Sequence, residues 1–336
     1  MTDKTKIINI FYGGMIRDDK GGSLGAFSNV EEVDIFTNKD YIQAEQIMDL
    51  DTAPSGTELY SFTADENGTV YAYGKETTGG KVVIASVSSG GSDNPGSFST
   101  LFTSSDSTNL ATILSPIQFH KTSETGNNFL YYVAGSGSTW KLKRLRIDNT
   151  TESEVGTLSG LGSSFNRPII KRFFGELYIL HGQYIARVDD DGVFTEKAFT
   201  LPNSMVAIDI IPVSDIAIVL ARNSNRFVNE SYGYWWDLES SFQFDDQFTI
   251  PMGGPQWIYN FREKIIVFCA INGIGKFFQL SSPNPGAQVI ELPNRILRNI
   301  ADEESDFPIS SPTILSQKDG VLYFGVYKKD KTGISA

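Results

Sequence analysis

Side chains able to do chemistry are few in this sequence and stand far apart. Its 336 residues hold two histidines, His120 and His181, and one cysteine, Cys269. That is little material for His-rich metal sites or His-based acid–base catalysis. Cys269 lies inside the apolar run KIIVFCA and reads as a small buried hydrophobe. A lone cysteine makes no disulfide within the chain. The acidic stretches DENG at 65–68 and DDDG at 189–192 have the charge for calcium. They lack the alternate spacing and closing Glu of a calcium loop, and Asp-Gly suits a tight turn, so turns are expected at both. No P-loop, G-x-S-x-G or H-E-x-x-H pattern occurs.

Asp209 interrupts the apolar run VAIDII. A carboxylate in such a place can serve sugar cleavage only opposite a second one. No other run of this kind carries an equally placed acid, so Asp209 is expected to be a solvated residue. The stretch GSDNPGSF at 91–98 is out of register with the Asp-box turn of sialidases, and FNRP at 165–168 is only a loose echo of their arginine motif. The run WKLKRLRID concentrates Lys141, Lys143, Arg144 and Arg146. On a strand these alternate between two faces, as on a solvated edge. The densest aromatic cluster is YGYWWDLESSFQF at 232–244. It reads either as packing between sheets or as a platform for a sugar or receptor, and Tyr234, Trp235 and Trp236 are its candidate binding residues. No nucleophile–base set, metal set or cofactor motif emerges, and the chain is expected not to be an enzyme.

The elements that would carry these residues repeat. Apolar runs GTVYAYG, NFLYYVAG, GELYIL, DIAIVLA, KIIVFCA and GVLYFGV start at residues 68, 128, 175, 215, 264 and 320. Several have no polar face, as a strand buried on both sides requires. Each follows another candidate strand across a short polar turn, and the first five are followed by a third, more polar strand such as QYIARV. A weak fourth strand follows in places, as in GVFTEKAFTLP at 192. A period of about 50 residues with strands alone is that of a propeller blade. A two-sheet sandwich is the rival architecture. The expectation is an all-β fold, a β-propeller of six blades with about four antiparallel strands each. Residues 1–28 read as a glycine-rich arm and 29–336 as the propeller. The last repeat is short of a third strand, so either segments 29–38 and 41–48 close the ring or the chain continues in a longer protein.

Charge narrows the partners. Lys and Arg number 28 against 40 Asp and Glu, a net charge of −12, which disfavours nucleic acid. No apolar run reaches the length of a membrane helix, and no signal peptide is read at the start, so no membrane partner and no secretion are expected.

Taken together, the leader FYGGMIRDDKGGSLGAFSNVEEVDIFTN, the segment YGYWWDLESSFQFDDQFTIP and the loose repeats resemble β-propeller structural proteins of tailed bacteriophages, including tail and nozzle-type components. The resemblance rests on texture and transfers no site residue. It implies a virion part made in a host cytoplasm, non-enzymatic, and assembled with copies of itself or with other tail proteins. The alternative is a carbohydrate-binding or glycan-active propeller.

Overall fold

Strands rich in Val, Ile, Tyr and Phe pair with their sequence neighbours throughout. The computed structural model describes residues 8–9, 41–42, 53–87, 98–108, 116–122, 127–136, 138–161, 168–225, 228–261, 264–271, 274–298, 315–318, 321–324, 328–329 and 334–335. The chain divides into two units, Met1–Leu50 with Lys318–Val321, and Asp51–Gln317 with Leu322–Ala336. In the first, β1 (Ile8–Asn9) pairs with β2 (Tyr41–Ile42).

The second contains five four-stranded antiparallel sheets. Sheet 1 holds β3 (Thr57–Ala64), β4 (Val70–Glu76), β5 (Lys81–Val87) and β6 (Ser99–Ser107). Sheet 2 holds β7 (Ile117–Lys121), β8 (Asn128–Ser136), β9 (Thr139–Arg146) and β10 (Thr151–Thr157). Sheet 3 holds β11 (Ile169–Phe173), β12 (Glu176–His181), β13 (Tyr184–Val188) and β14 (Phe194–Thr200). Sheet 4 holds β15 (Met205–Val213), β16 (Ile216–Asn223), β17 (Ser231–Trp236) and β18 (Asp246–Thr249). Sheet 5 holds β19 (Pro255–Phe261), β20 (Lys264–Ile271), β21 (Ile274–Leu280) and β22 (Val289–Arg298). Two short pairs follow, β23 (Leu315–Lys318) with β24 (Val321–Phe324) and β25 (Lys328–Lys329) with β26 (Ile334–Ser335). Among the described residues there is no helix.

Every sheet is a meander whose first strand lies beside the first strand of the next, from β3 through β7, β11 and β15 to β19. This is the arrangement of consecutive propeller blades. The two-sheet sandwich is thereby excluded. Six blades were expected; the described residues give five complete sheets. Of the segments 29–38 and 41–48, expected to close the ring, all but Tyr41 and Ile42 lie outside the described residues, as does most of the arm at 1–28.

The hydrophobic effect explains the stacking. One core joins sheets 1, 2 and 3 through Tyr73, Leu130, Trp140 and Ile179. A second lies between sheets 3 and 4, around Tyr178, Phe199 and Trp236. A third lies between sheets 4 and 5, around Trp235, Phe248 and Val267. A large side chain gains about 1.5–3 kcal/mol on full burial, so a lone sheet would forfeit that on two faces.

Cross-sheet contacts fix which strand ends lie together. Lys121, at the end of β7, meets Glu66 of the β3–β4 turn at 3.4 Å. A Cβ on Gly192, in the β13–β14 turn, would stand 3.4 Å from the Arg144 guanidinium near the end of β9. Tyr178, early in β12, lies edge-on to Trp236 at the end of β17, with centroids 5.9 Å apart. The Gly286 N–H of the β21–β22 turn donates to Asp246 at 2.5 Å. The turns joining first to second and third to fourth strands therefore share one rim.

On the opposite rim the β12–β13 turn is pressed against the chain leaving sheet 2. Gly182 has φ +67°, and a Cβ there would lie 2.2 Å from the Gly160 carbonyl. Only glycine meets both conditions.

Candidate functional site

The polar groups of the first strands form a belt. Each of β3, β15 and β19 carries a bulge on this edge, at Tyr60, Ile208 and Gln256. A bulge re-aims the side chain that follows it. Next to the bulge at Ile208 stands Asp209, which is 3% exposed. One of its oxygens accepts from Lys171 Nζ of β11 at 2.6 Å and from the Ile210 N–H at 2.8 Å. The other accepts from the Ile258 N–H of β19 at 3.0 Å. One carboxylate thus ties together three successive sheets. Thr63 plays a simpler version of the part, its hydroxyl accepting from the Phe119 N–H of β7 at 3.2 Å. The Gln118 amide reaches the same hydroxyl at 3.4 Å.

The expectation that Asp209 is solvated is thus corrected. Burial is tolerated because an ammonium and two amides replace its water. Lys171 escaped notice in the sequence. It bears the same signal, a charge inside a first strand, but its partner is on another sheet. It is half-buried, so donor capacity remains beside the bond to Asp209. The other first-strand carboxylate among the described residues, Glu58, stands at the start of β3 with Tyr60 and Lys75.

Of the two readings of the aromatic cluster, packing between sheets is the one the structure shows, and the platform reading is corrected. Tyr234, Trp235 and Trp236 are 2%, 0% and 0% exposed. Alternation along β17 sends Trp235 into the core shared with sheet 5, while Tyr234 and Trp236 enter the core shared with sheet 3. Trp236 stacks on Phe199 with centroids 4.9 Å apart, and its indole N–H donates to the Ser240 carbonyl at 2.8 Å. No ring of the three presents a face to a ligand. A third strand is polar only where a neighbouring sheet leaves it uncovered, and here both sides are covered.

The basic run also differs from a solvated edge. Lys143 is buried, bonded to Asp106 of β6 and, at 2.9 Å, to Glu152 of β10. Tyr132 and Ser104 hydroxyls donate to the same Glu152. Burial raises the Glu152 carboxyl, and these hydrogen bonds outweigh it, leaving it below its ordinary value. Lys141 pairs with Glu154 at 2.8 Å nearer the surface.

Both acidic stretches are five-residue turns of one design. The first Asp side chain accepts two backbone N–H bonds, from Asn67 and Thr69 onto Asp65, and from Asp191 and Val193 onto Asp189. Cys269 is fully buried, which pushes its thiol up out of the reactive range. His120 is buried edge-on to Tyr131, and burial lowers it, helped by Arg172 and opposed by Asp190.

His181 is buried with both nitrogens engaged. Nδ1 accepts from the Gly160 N–H at 3.2 Å, so Nε2 donates to the Glu196 carbonyl at 2.9 Å. Burial pulls its pKa down to about 4 from 6.5. The fold thus holds the neutral ring, and the unfolded chain takes up the proton first. His181 supports the fold fully above about pH 6.5 and loses that support as pH falls to about 4, a change of about 3 kcal/mol. Urea unfolding at neutral and acid pH should show that His181→Gln loses less stability on acidification than the parent. An equal loss in both would refute the assignment.

Neither a protein-family model nor any curated protein matches the chain. Among solved structures it is similar to hydrazine synthase from Kuenenia stuttgartiensis, with a TM-score of 0.50 and 14% identity, covering 86% of this chain and 81% of that one. It also matches Penicillium chrysogenum α-L-arabinanase complexed with arabinobiose, with a TM-score of 0.43 and 11% identity, over 72% of this chain and 84% of that one. A third match is exo-β-1,3-galactanase from Phanerochaete chrysosporium, with a TM-score of 0.41 and 11% identity. It covers 70% of this chain, which spans only 62% of the galactanase. The fold is shared with hydrazine synthase, which is named as an enzyme, so the expectation that this chain is not an enzyme is withdrawn. The expected virion role draws no support from these matches.

Proposed function

We propose that this chain is a glycan-active β-propeller protein that holds carbohydrate along its first-strand belt, with Lys171 as the contact residue. The observation carrying this reading is the ion pair between Lys171 and the buried Asp209. Asp209 has both oxygens committed, so it is a positioning residue that fixes the ammonium. Lys171 offers its remaining N–H donors to sugar hydroxyls, each bond being charge-assisted. Gln118, half-buried on the neighbouring first strand, adds its amide oxygen to the same belt, its N–H groups being held by Thr63 and the Phe119 carbonyl. A few fixed polar groups in an otherwise apolar scaffold are the usual way a site orients a polyhydroxylated ligand. In the same reading the pair β23–β24 begins a sixth blade.

A glycan array, followed by reducing-sugar release on whatever is bound, tests this. Lys171→Ala should weaken binding of the selected glycan about tenfold, and Lys171→Arg should keep most of it. Asp209→Asn should weaken binding while thermal unfolding remains cooperative. A folded protein that binds no glycan on the array, or a Lys171→Ala variant that binds like the parent, would sink the reading.

A further inference from the structure

The face of sheet 1 turned away from sheet 2 carries a polar hollow at the end marked by the β4–β5 turn. Alternation along β5 sends Val82 and Ile84 into the core shared with sheet 2 and leaves Val83 on the other face. Register then fixes what surrounds Val83. It stands opposite Gly74 of β4 and Thr103 of β6. Two residues beyond Gly74, on the same face, comes Glu76, opposite Thr57 of β3. Ala85, also on this face, stands opposite Thr100. The turns at 54–56 and 77–80 close the hollow around a volume of about 340 Å³, with the buried Val83 as its floor. Ligand-binding clefts run about 300–1,000 Å³, so there is room for one small molecule.

The walls are fixed from within. Thr77 donates both its N–H and its hydroxyl to the Gly56 carbonyl, at 2.9 and 3.1 Å, and so clamps one turn to the other. The Thr57 N–H donates to the Pro54 carbonyl at 3.1 Å. The side chains that face the hollow are by contrast uncommitted. Among the described residues, those of Glu76, Thr78, Thr100 and Thr103 make no hydrogen bond or ion pair. Glu76 is half-buried, and a Cβ on Gly79 would stand 3.6 Å from its Oε2, which places the carboxylate against the 77–80 turn. No Lys or Arg lines the hollow. Alternation puts Lys75 on the opposite face, where it pairs with Glu58 at 3.8 Å and lies over the Tyr60 ring at 5.3 Å. Lys81 begins β5 as an exposed residue with no ion pair to Glu76.

These groups select a ligand by chemistry. A carboxylate with no internal cation attracts positive charge and repels an anion. Threonine hydroxyls both donate and accept, and so match hydroxyls on a ligand. A bare calcium ion would want six to eight oxygens, and one carboxylate leaves it short of charge. We infer that the hollow binds a hydroxylated primary ammonium, of the amino sugar or amino polyol class, with Glu76 receiving the ammonium and Thr100 and Thr103 the hydroxyls. The site is two sheets away from Lys171 and independent of the first-strand belt.

Ligand-observed NMR titrations with glucosamine, glucose and N-acetylglucosamine test this. Glucosamine should bind best, because the other two lack the charge. Glu76→Gln should weaken glucosamine about fivefold and leave glucose unchanged, the modest size reflecting partial exposure of the pair to water. Thr100→Val with Thr103→Val should weaken all three sugars while keeping β-branched side chains on the strand, so thermal unfolding should stay at the parent's temperature. Lys171→Ala should leave glucosamine binding as it is, which separates this site from the belt. The inference is overturned if glucosamine does not bind, if glucose or N-acetylglucosamine binds equally well, if Glu76→Gln binds glucosamine like the parent, or if Lys171→Ala is the variant that loses it.

Discussion

Trp236→Ala should cost about 3–5 kcal/mol, enough to unfold much of the protein at modest urea. The ring is fully buried between sheets 3 and 4, stacked on Phe199 and edge-on to Tyr178. Truncation removes this packing and opens a cavity that neighbouring sheets, fixed by their own ladders, fill only partly. It also frees the Ser240 carbonyl from its indole donor. Trp236→Phe should cost less, keeping the stack and losing only the hydrogen bond and the outer ring. A ligand platform would behave oppositely, with binding lost and stability kept. Equilibrium urea unfolding distinguishes the two, and a cost below about 1 kcal/mol would mean that the ring is not buried as described.

Lys143→Met should cost about 3 kcal/mol, because it leaves the half-buried Glu152, in the seam between sheets 1 and 2, without its ammonium. The effect is moderated by the Tyr132 and Ser104 hydroxyls, which still donate to that carboxylate, and by the greater exposure of Asp106. Adding Glu152→Gln to Lys143→Met should recover much of the loss, since a neutral amide is cheaper to bury than a lone charge. Additive losses in the double variant would show that the two groups do not interact. The position looks in sequence like one more charge on a basic strand, and only the facing β6 makes it a buried pair.

That contrast shows what was legible from sequence. Second strands such as GELYIL and KIIVFCA declare themselves, because a strand covered on both faces must be apolar at consecutive positions. The turns at DENG, 65–68, and DDDG, 189–192, declare themselves too. The outer strand β6, STLFTSSDS, did not, since an edge strand rich in Ser and Thr reads like a loop. YGYWW suggested a platform because aromatic content alone does not say whether a neighbouring sheet covers it. Lys171 and Asp209 are both visible as charges in apolar strands. Their pairing belongs to the packing of one sheet on the next, which no local pattern encodes.

The belt of side chains that serve the following sheet has a direction. Thr63 accepts an amide of sheet 2 and Asp209 an amide of sheet 5, so in both the acceptor is synthesised before its donor. Trimming the protein from its far end merely returns a hydroxyl or carboxylate to water. Trimming from the near end likewise hands a main-chain N–H to water. The scaffold is therefore polar in the sense of a one-way street: in sheets 1 and 4 the acceptor stands on the chain before the ribosome delivers its donor.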